Sequence, residues 1–179
     1  MASQQTVFRL NSRHSVVDLV RSEEAIPKPA AYEVLIKIRS IALNYRDLAI
    51  ATSQYPFPVK DKVVPVSDAA GEIVEIGPNV QGLSVGDLVV PTFSPGNLYG
   101  PMKDWLGGLG GPLDGVLRNY LSIPASSVVR VPKESSLRAS QWASLVCTGT
   151  TAWNALYGIV PLKPGQTVLF QGEHANDPS

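Results

Sequence analysis

The chain has 179 residues, of which 44% are apolar and 17% charged, and its fifteen basic residues balance its fifteen acidic ones. This composition is typical of a folded soluble protein, and a zero net charge offers no field to attract nucleic acid or an anionic membrane. A single cysteine excludes an internal disulfide and a cysteine-rich zinc cluster. The sequence has no signal-peptide pattern and no long apolar run, so we expect a cytoplasmic protein without a membrane segment.

Short strands are predicted for the first part of the chain, because fifteen glycines and fifteen prolines favour turns. Residues 6–10 and 16–20 read as two strands around a polar turn. Residues 33–43 alternate, with Val34 and Ile36 on one face and charged side chains on the other. This pattern is typical of a half-buried strand.

A short helix is predicted for residues 44–51, because Asn44 can satisfy an orphan amide at a helix start. Residues 65–77 form the next predicted strand. Within it, Gly71 indicates a place where another backbone passes closely. A glycine-aspartate turn then introduces a strand over residues 85–90.

A long loop rich in glycine and proline covers residues 92–112, and loops of this length are usually functional or poorly ordered. Trp105 is its best candidate for a lid over a pocket. The glycines of residues 107–111 follow no apolar strand and open no helix, so a phosphate-binding loop is disfavoured. Two further strands are predicted, over residues 115–124 and 128–131.

The last part of the chain changes character. Residues 135–146 and 147–157 read as two helices, and residues 168–172 as an apolar strand ending on a glycine. The sequence therefore predicts a mainly β fold with an α/β tail. We place the domain boundary so that residues 1–128 form the first domain and residues 129–179 the second.

Several stretches together resemble the medium-chain dehydrogenase/reductase superfamily, which includes zinc alcohol dehydrogenases and quinone oxidoreductases. The stretches that carry the resemblance are Gly71-x-Ile73-x-x-Ile76-Gly77-x-x-Val80 with Gly86-Asp87-x-Val89, Asn44-Tyr45-Arg46-Asp47, Leu113-Asp114-Gly115 and Cys147-Thr148-Gly149-Thr150-Thr151-Ala152-Trp153. The resemblance covers nearly the whole chain. It implies a GroES-like β-barrel followed by the opening helices and first strand of an incomplete Rossmann domain.

The resemblance also implies a chemistry. Such proteins use NADP or NAD to move hydride between nicotinamide and a carbonyl, an alcohol or an activated alkene of a small-molecule substrate. The cofactor then supplies or accepts the hydride, while the protein positions the reactants and polarises the substrate.

Zinc is not expected. Zinc members place a cysteine where Asn44 stands and Gly-His-Glu where this chain has Val66-Ser67-Asp68, and only Cys147 matches a ligand position. One thiolate beside an amide and a hydroxyl is a poor Zn²⁺ site. Cys147 itself we expect to be a small buried residue, since free cysteine is among the most buried types.

The resemblance implies two sets of site residues. Asn44 and Asp47 are the candidate catalytic residues, and Asn44, Tyr45, Thr148 and Thr151 are the candidate cofactor-binding residues. An alternative stays open for all of them, since asparagine, aspartate and threonine at helix starts often serve only as caps.

The chain after Gly172 has no glycine-rich phosphate loop, and Glu173 and Asp177 place negative charge where a pyrophosphate would need donors. We therefore expect this chain alone to be inactive. The alternative function is a truncated, catalytically silent product that acts at most as an interaction module. Residues 135–179 should be weakly held, and they offer a route to a homo-oligomer or to self-association.

Overall fold

The structure, a computed structural model, describes residues 3–102 and 104–169. Its main body is a five-stranded antiparallel sheet in the order β6-β3-β4-β5-β7, accompanied by a two-stranded hairpin of β1 and β2. The strands are β1 (Gln4–Leu10), β2 (Leu19–Ala25), β3 (Glu33–Ala42), β4 (Asp68–Ile76), β5 (Leu88–Pro91), β6 (Tyr120–Pro124) and β7 (Val128–Arg130). The helical segments are α1 (Tyr45–Ala51), α2 (Ala139–Ser144) and α3 (Thr150–Tyr157).

The hairpin closes one side of the sheet into a partial barrel. The N–H of Phe8 donates to the carbonyl of Leu117 at 3.0 Å, and the N–H of Leu10 donates to the carbonyl of Val63 at 3.0 Å. These bonds connect β1 to the segments beside it, so some of the backbone N–H groups on its outer edge have hydrogen-bond partners.

The prediction of a strand over residues 16–20 is wrong in its first half. Val16–Asp18 is a short 3₁₀ turn, and the second strand begins only at Leu19. The Asp18 carboxylate accepts the backbone N–H groups of His14 and Ser15, at 2.8 and 3.1 Å. This local side-chain bonding competes with strand pairing, although the valines alone favour a strand.

The predicted alternation is confirmed in part, because Leu35 on the opposite face of β3 is also buried. Val34 and Ile36 are fully buried, while Arg39 is exposed and pairs with Glu72 at 2.6 Å. The prediction for Gly71 is also confirmed. A Cβ on Gly71 would lie 2.6 Å from the carbonyl oxygen of Lys37, so only glycine permits this close crossing of β3 and β4.

The two predicted C-terminal helices form one continuous helical stretch. It begins at Ala139, later than the predicted residue 135, because the Ser135 side chain accepts the N–H of Leu137 at 3.1 Å and holds the preceding turn. Leu145–Gly149 then widens into a π-helix and leads directly into α3. The polar residues that suggested a second helix start mark this widening instead.

The predicted strand over residues 168–172 lies largely outside the described residues. Its described part, residues 168 and 169, adopts no strand, and it pairs with no other described segment. Across residues 3–102 and 104–169, no helix is both long enough and apolar enough to cross a membrane.

Candidate functional site

Asp68 connects the barrel with the C-terminal helical stretch. It opens β4 and is only 1% exposed. Its Oδ2 accepts the side-chain amide of Asn44 at 3.0 Å and the backbone N–H of Cys147 at 3.0 Å. Its Oδ1 accepts the hydroxyl of Ser67 at 2.7 Å. Three donors around one buried carboxylate form a satisfied, electrostatically strong junction.

Asn44 and Asp47 lie at the start of α1, as predicted. The Asp47 carboxylate accepts the backbone N–H of Asn44 at 2.8 Å, so it caps the helix. Burial raises the pKa of Asp47, and the hydrogen bond from Asn44 only partly offsets this effect. The backbone N–H of Val66 also lowers the pKa of Asp47, although no described donor lies within hydrogen-bonding geometry of its buried Oδ1. Asp47 thus combines a cap with a carboxylate whose charged form is disfavoured by burial.

The expectation that Cys147 is buried is wrong. Cys147 is exposed, since the π-helix that contains it has no buried residue, and its backbone N–H is bonded to Asp68. Partial desolvation raises the pKa of the Cys147 thiol, and the neighbouring Asp68 carboxylate adds to the rise. A hydrogen bond with Thr151 acts in the opposite direction.

The structure gathers some of the predicted cofactor-binding residues around this junction. Thr151 contacts Cys147, whose backbone N–H is bonded to Asp68. Asp68 in turn accepts the side-chain amide of Asn44. Thr148 is exposed, and its hydroxyl donates to the carbonyl of Ser144 one turn earlier. Tyr45 is 76% exposed beside Asn44. No geometry here tests a role in cofactor binding, so these assignments stay predictions.

Arg46 is a residue of the same motif to which the sequence alone assigned no role. Its Nη1 donates to the carbonyl of Leu109 at 2.9 Å, and its guanidinium carbon lies 4.8 Å from the Tyr55 ring centroid and 4.9 Å from that of Phe93. These contacts fix the group in place. Its Nε and Nη2 are buried, and no described residue accepts from them. Such an unmet donor costs about 1–3 kcal/mol, which calls for a physical explanation.

Backbone strain occurs next to the junction. Val66 has φ of +71°, a conformation that a β-branched residue rarely adopts. It lies two residues before Asp68 and is 2% exposed. Strain of this kind costs on the order of 1–3 kcal/mol and is found most often at functional sites.

Two clefts of about 360 Å³ each are present, one at the start of α1 and one beside the C-terminal helical stretch. Asn44 and Asp47 line the first, and the rest of its wall is apolar. Phe93, Trp142 and Thr150 contribute to the second. The predicted lid residue, Trp105, instead stacks on Phe57 with ring centroids 4.6 Å apart. It thereby fastens its loop to the barrel.

The side chains around the junction do not fit a zinc ion. Asn44 donates its amide to Asp68, and Cys147 presents its backbone to that carboxylate. Within the described part of the chain, no three His, Cys, Asp or Glu side chains gather closely enough to hold a metal. The donor set is poor for Zn²⁺, but zinc independence itself stays a proposal.

Asp68 and Arg46 are the functional candidates that residue-type reasoning missed. Both stand in stretches already notable in the sequence, Asp68 where the Gly-His-Glu pattern is replaced and Arg46 within Asn44-Tyr45-Arg46-Asp47. In both stretches the sequence signal was a charged residue among residues that are otherwise apolar or suited to capping a helix.

Comparison with known proteins supports the resemblance. A family model described as "Alcohol dehydrogenase GroES-like domain" matches residues 30–133. A zinc-type alcohol dehydrogenase-like protein of Schizosaccharomyces pombe is 42% identical over 144 residues, covering 78% of this chain and 41% of that protein. The acryloyl-coenzyme A reductase of Metallosphaera sedula is 34% identical over 161 residues, covering 82% of this chain and 45% of that protein.

A solved structure agrees with these relatives. A Sinorhizobium meliloti protein named as an alcohol dehydrogenase has a TM-score of 0.76 and 31% identity, covering 87% of this chain and 46% of that one. The mainly β architecture is thus a GroES-like domain. The chain belongs to the alcohol dehydrogenase-like proteins of the medium-chain dehydrogenase/reductase superfamily. It spans less than half the length of these relatives.

Proposed function

We propose that this domain serves a zinc-independent, NAD(P)-dependent oxidoreductase, which transfers hydride between nicotinamide and a carbonyl, an alcohol or an activated alkene. The observation that carries the proposal is the Asn44–Asp68–Cys147 junction. At positions where zinc relatives hold ligands, this chain has an amide bonded to a buried carboxylate. Such an arrangement orients polar groups without requiring a metal.

The residues that line the cleft would have distinct roles in this reaction. Asn44, held by Asp68, orients the polar end of a substrate beside the apolar cleft that it lines with Asp47. Asp47, whose pKa is raised by burial, keeps the start of α1 in place. The apolar wall of that cleft excludes water from the reacting atoms.

The described residues that would hold a nicotinamide cofactor are Tyr45, Thr148 and Thr151. All three are exposed close to Asn44 or Cys147, and they offer an aromatic face and two hydroxyls. The cofactor would supply or accept the hydride. The preference between NADP and NAD is left open by these residues.

A direct test uses a chimera. The part of the Schizosaccharomyces pombe relative that matches this chain is replaced by residues 3–157, and deuterium transfer from C4-deuterated NADPH or NADH to a set of carbonyl and alkene substrates is followed by mass spectrometry. We expect transfer that persists in a chelator. An Asn44→Ala change should lower it by about 10²-fold, as expected when a positioning contact is lost. Absence of transfer by a folded chimera, while the unaltered relative remains active, would contradict the proposal.

The chain by itself is proposed to be inactive. Titration of NADPH and NADH should give dissociation constants weaker than about 1 mM, since only a few contacts are available. A micromolar constant would contradict this part of the proposal. The purified, tag-free chain should also lack stoichiometric zinc by elemental analysis after dialysis. An interaction module without catalytic role is the alternative, which no specific contact favours.

A further inference from the structure

We propose that the Nε–Nη2 edge of Arg46 binds the carboxylate of a small-molecule ligand. If this ligand is the substrate, the proposal rests on the function given above and narrows its substrate class to carboxylic acids. The proposal starts from the two buried nitrogens of Arg46 that no described residue satisfies.

The identity of these two nitrogens matters. The N–H of Nε and one N–H of Nη2 lie side by side along one edge of the planar guanidinium and point the same way. Two parallel donors match the two oxygens of a carboxylate, and this bidentate pairing is the interaction for which arginine is best suited. The other donor, Nη1, is already engaged by the carbonyl of Leu109 at 2.9 Å. Among the described residues, therefore, the edge that recognises a carboxylate has no hydrogen-bond partner.

The guanidinium is also held rigidly. The rings of Tyr55 and Phe93 lie within 5 Å of its central carbon, at 4.8 and 4.9 Å. Within the described residues Arg46 forms no ion pair, although charged pairs are present elsewhere in the fold. A fixed, desolvated guanidinium with two unpaired donors gains more from an incoming anion than a mobile surface arginine would.

The position of Arg46 links it to the candidate site. It follows Asn44 and Tyr45 in α1, and its charge lowers the pKa of the Cys147 thiol and of Asp47, although burial dominates both shifts. Its field therefore reaches the junction around Asp68. A carboxylate bound here would lie beside that junction.

Glycines cover the free edge. A Cβ on Gly111 would lie 2.6 Å from Nη2, and one on Gly108 would lie 3.5 Å from the same atom. Because these residues lack side chains, the loop packs directly on the guanidinium, and a carboxylate reaches the two donors only when this buried segment moves aside. That movement has to break the backbone bonds from Leu109 to Phe93 and from Lys60 to Gly111, both 2.9 Å long.

The test is an NMR titration of the ¹⁵N-labelled full chain with sodium propionate, at constant ionic strength. The neutral isostere propionamide is the control ligand. We expect a saturable shift of the Arg46 Nε–Hε signal with propionate and none with propionamide. Sodium phosphate serves as a third ligand, and a response to phosphate without a response to propionate would overturn the carboxylate assignment.

Variants separate the charge from the geometry. Arg46→Lys keeps the charge but lacks the paired donors, so propionate binding, followed by backbone amide shifts of the loop, should weaken at least about tenfold. Gly111→Ala keeps the arginine and places a methyl group against Nη2, and it should weaken binding to a similar extent. Arg39→Lys is the matched control, since Arg39 lies on the surface with Glu72, and it should bind as the wild type does.

The titration tests the carboxylate site separately from the proposed function, which the chimera tests. No saturation with propionate, or equal binding by the folded Gly111→Ala and wild-type chains, overturns the carboxylate site whatever the chimera does. Saturable binding that both variants weaken supports it, even if no hydride transfer is found. If Arg46→Lys fails to fold, Gly111→Ala decides the question.

Discussion

The carboxylate of Asp68 accepts the backbone N–H of Cys147 at 3.0 Å, although the two residues lie 79 positions apart in the chain. The same oxygen accepts the side chain of Asn44. One buried group thus sets the position of the π-helix relative to α1. π-Helical segments are frequent at functional sites, and here the segment occurs at the contact between barrel and helix.

Asp68→Ala should lower the free energy of unfolding by about 2–5 kcal/mol, because it leaves the buried hydroxyl of Ser67 and two partly buried N–H donors without their acceptor. Urea denaturation of the variant and the wild-type chain measures this loss. Asp87→Ala, which removes another buried aspartate in a turn, provides a comparison. A change below about 0.5 kcal/mol for Asp68→Ala would contradict the role of Asp68 as a junction.

The single cysteine provides a probe of the same junction. Burial and the Asp68 charge both raise the pKa of the Cys147 thiol, so Asp68→Asn should move the pH profile of its alkylation to lower pH. Thr151→Val removes a hydrogen bond that lowers this pKa and should move the profile to higher pH. Iodoacetamide rates across pH 7–10.5, followed by mass spectrometry, check both directions. Shifts of the same sign in the two variants would contradict the geometry.

Asp114 should stabilise the fold in a pH-dependent way. It accepts Lys60 at 2.7 Å, Arg9 at 3.2 Å and the N–H of Val64 at 3.0 Å. Burial alone would raise the pKa of Asp114, but these partners outweigh it, and the pKa is lowered. A lowered pKa contributes stability above the unfolded value near 4, which is lost as the pH falls through the folded pKa.

Asp114→Asn should therefore cost about 1–3 kcal/mol at pH 7, and this difference should shrink below pH ~4. Urea unfolding at several pH values measures it. Glu72→Gln is the control, since it breaks only the exposed pair with Arg39, and it should cost less than about 1 kcal/mol at any pH. A cost for Asp114→Asn that does not change with pH would argue against the charge as its source.

The contribution of Asp47 to stability should change with pH in the opposite direction. Because burial raises its pKa, its carboxylate opposes folding at neutral pH, and the opposition is relieved as the pH falls through the raised pKa towards the unfolded value near 4. We expect Asp47→Asn to be within about 1 kcal/mol of the wild type at pH 7, since the amide oxygen can still accept from Asn44. The wild type should gain stability relative to this variant between pH 7 and 4. A loss over that interval would show that the carboxylate is favoured by the fold.

Amide hydrogen-exchange rates should distinguish the barrel from the last part of the described chain. Residues 6–131 pair their backbone groups within the barrel and should be protected. Residues 150–169 should exchange quickly, because α3 has no buried residue and Trp153, Ile159 and Leu169 are 68%, 101% and 83% exposed. The amide of Cys147, bonded to Asp68, should exchange more slowly than these. Uniform protection through residue 169 in a monomer, established by light scattering, would contradict this expectation.

The sequence by itself determined the barrel and its family. The alternation of Val34 and Ile36, the close crossing at Gly71 and the family stretches depend on local period and residue type, which are readable along the chain. The candidate site at Asn44 and Asp47 came from the family resemblance, because local patterns alone favoured a helix cap there. Local patterns failed at Val16–Asp18 and at the start of α2, where serine and aspartate side chains bond to nearby backbone.

Only the tertiary structure decided how the candidate site is connected. The Asp68 junction joins residues 24 and 79 positions apart, and Arg46 lies between two aromatic rings and a carbonyl 63 positions away. No periodic pattern encodes such contacts, because they depend on where whole strands and loops meet. The exposure of Cys147 has the same origin, since burial is decided by the elements that pack over a residue and residue type gives only an average tendency.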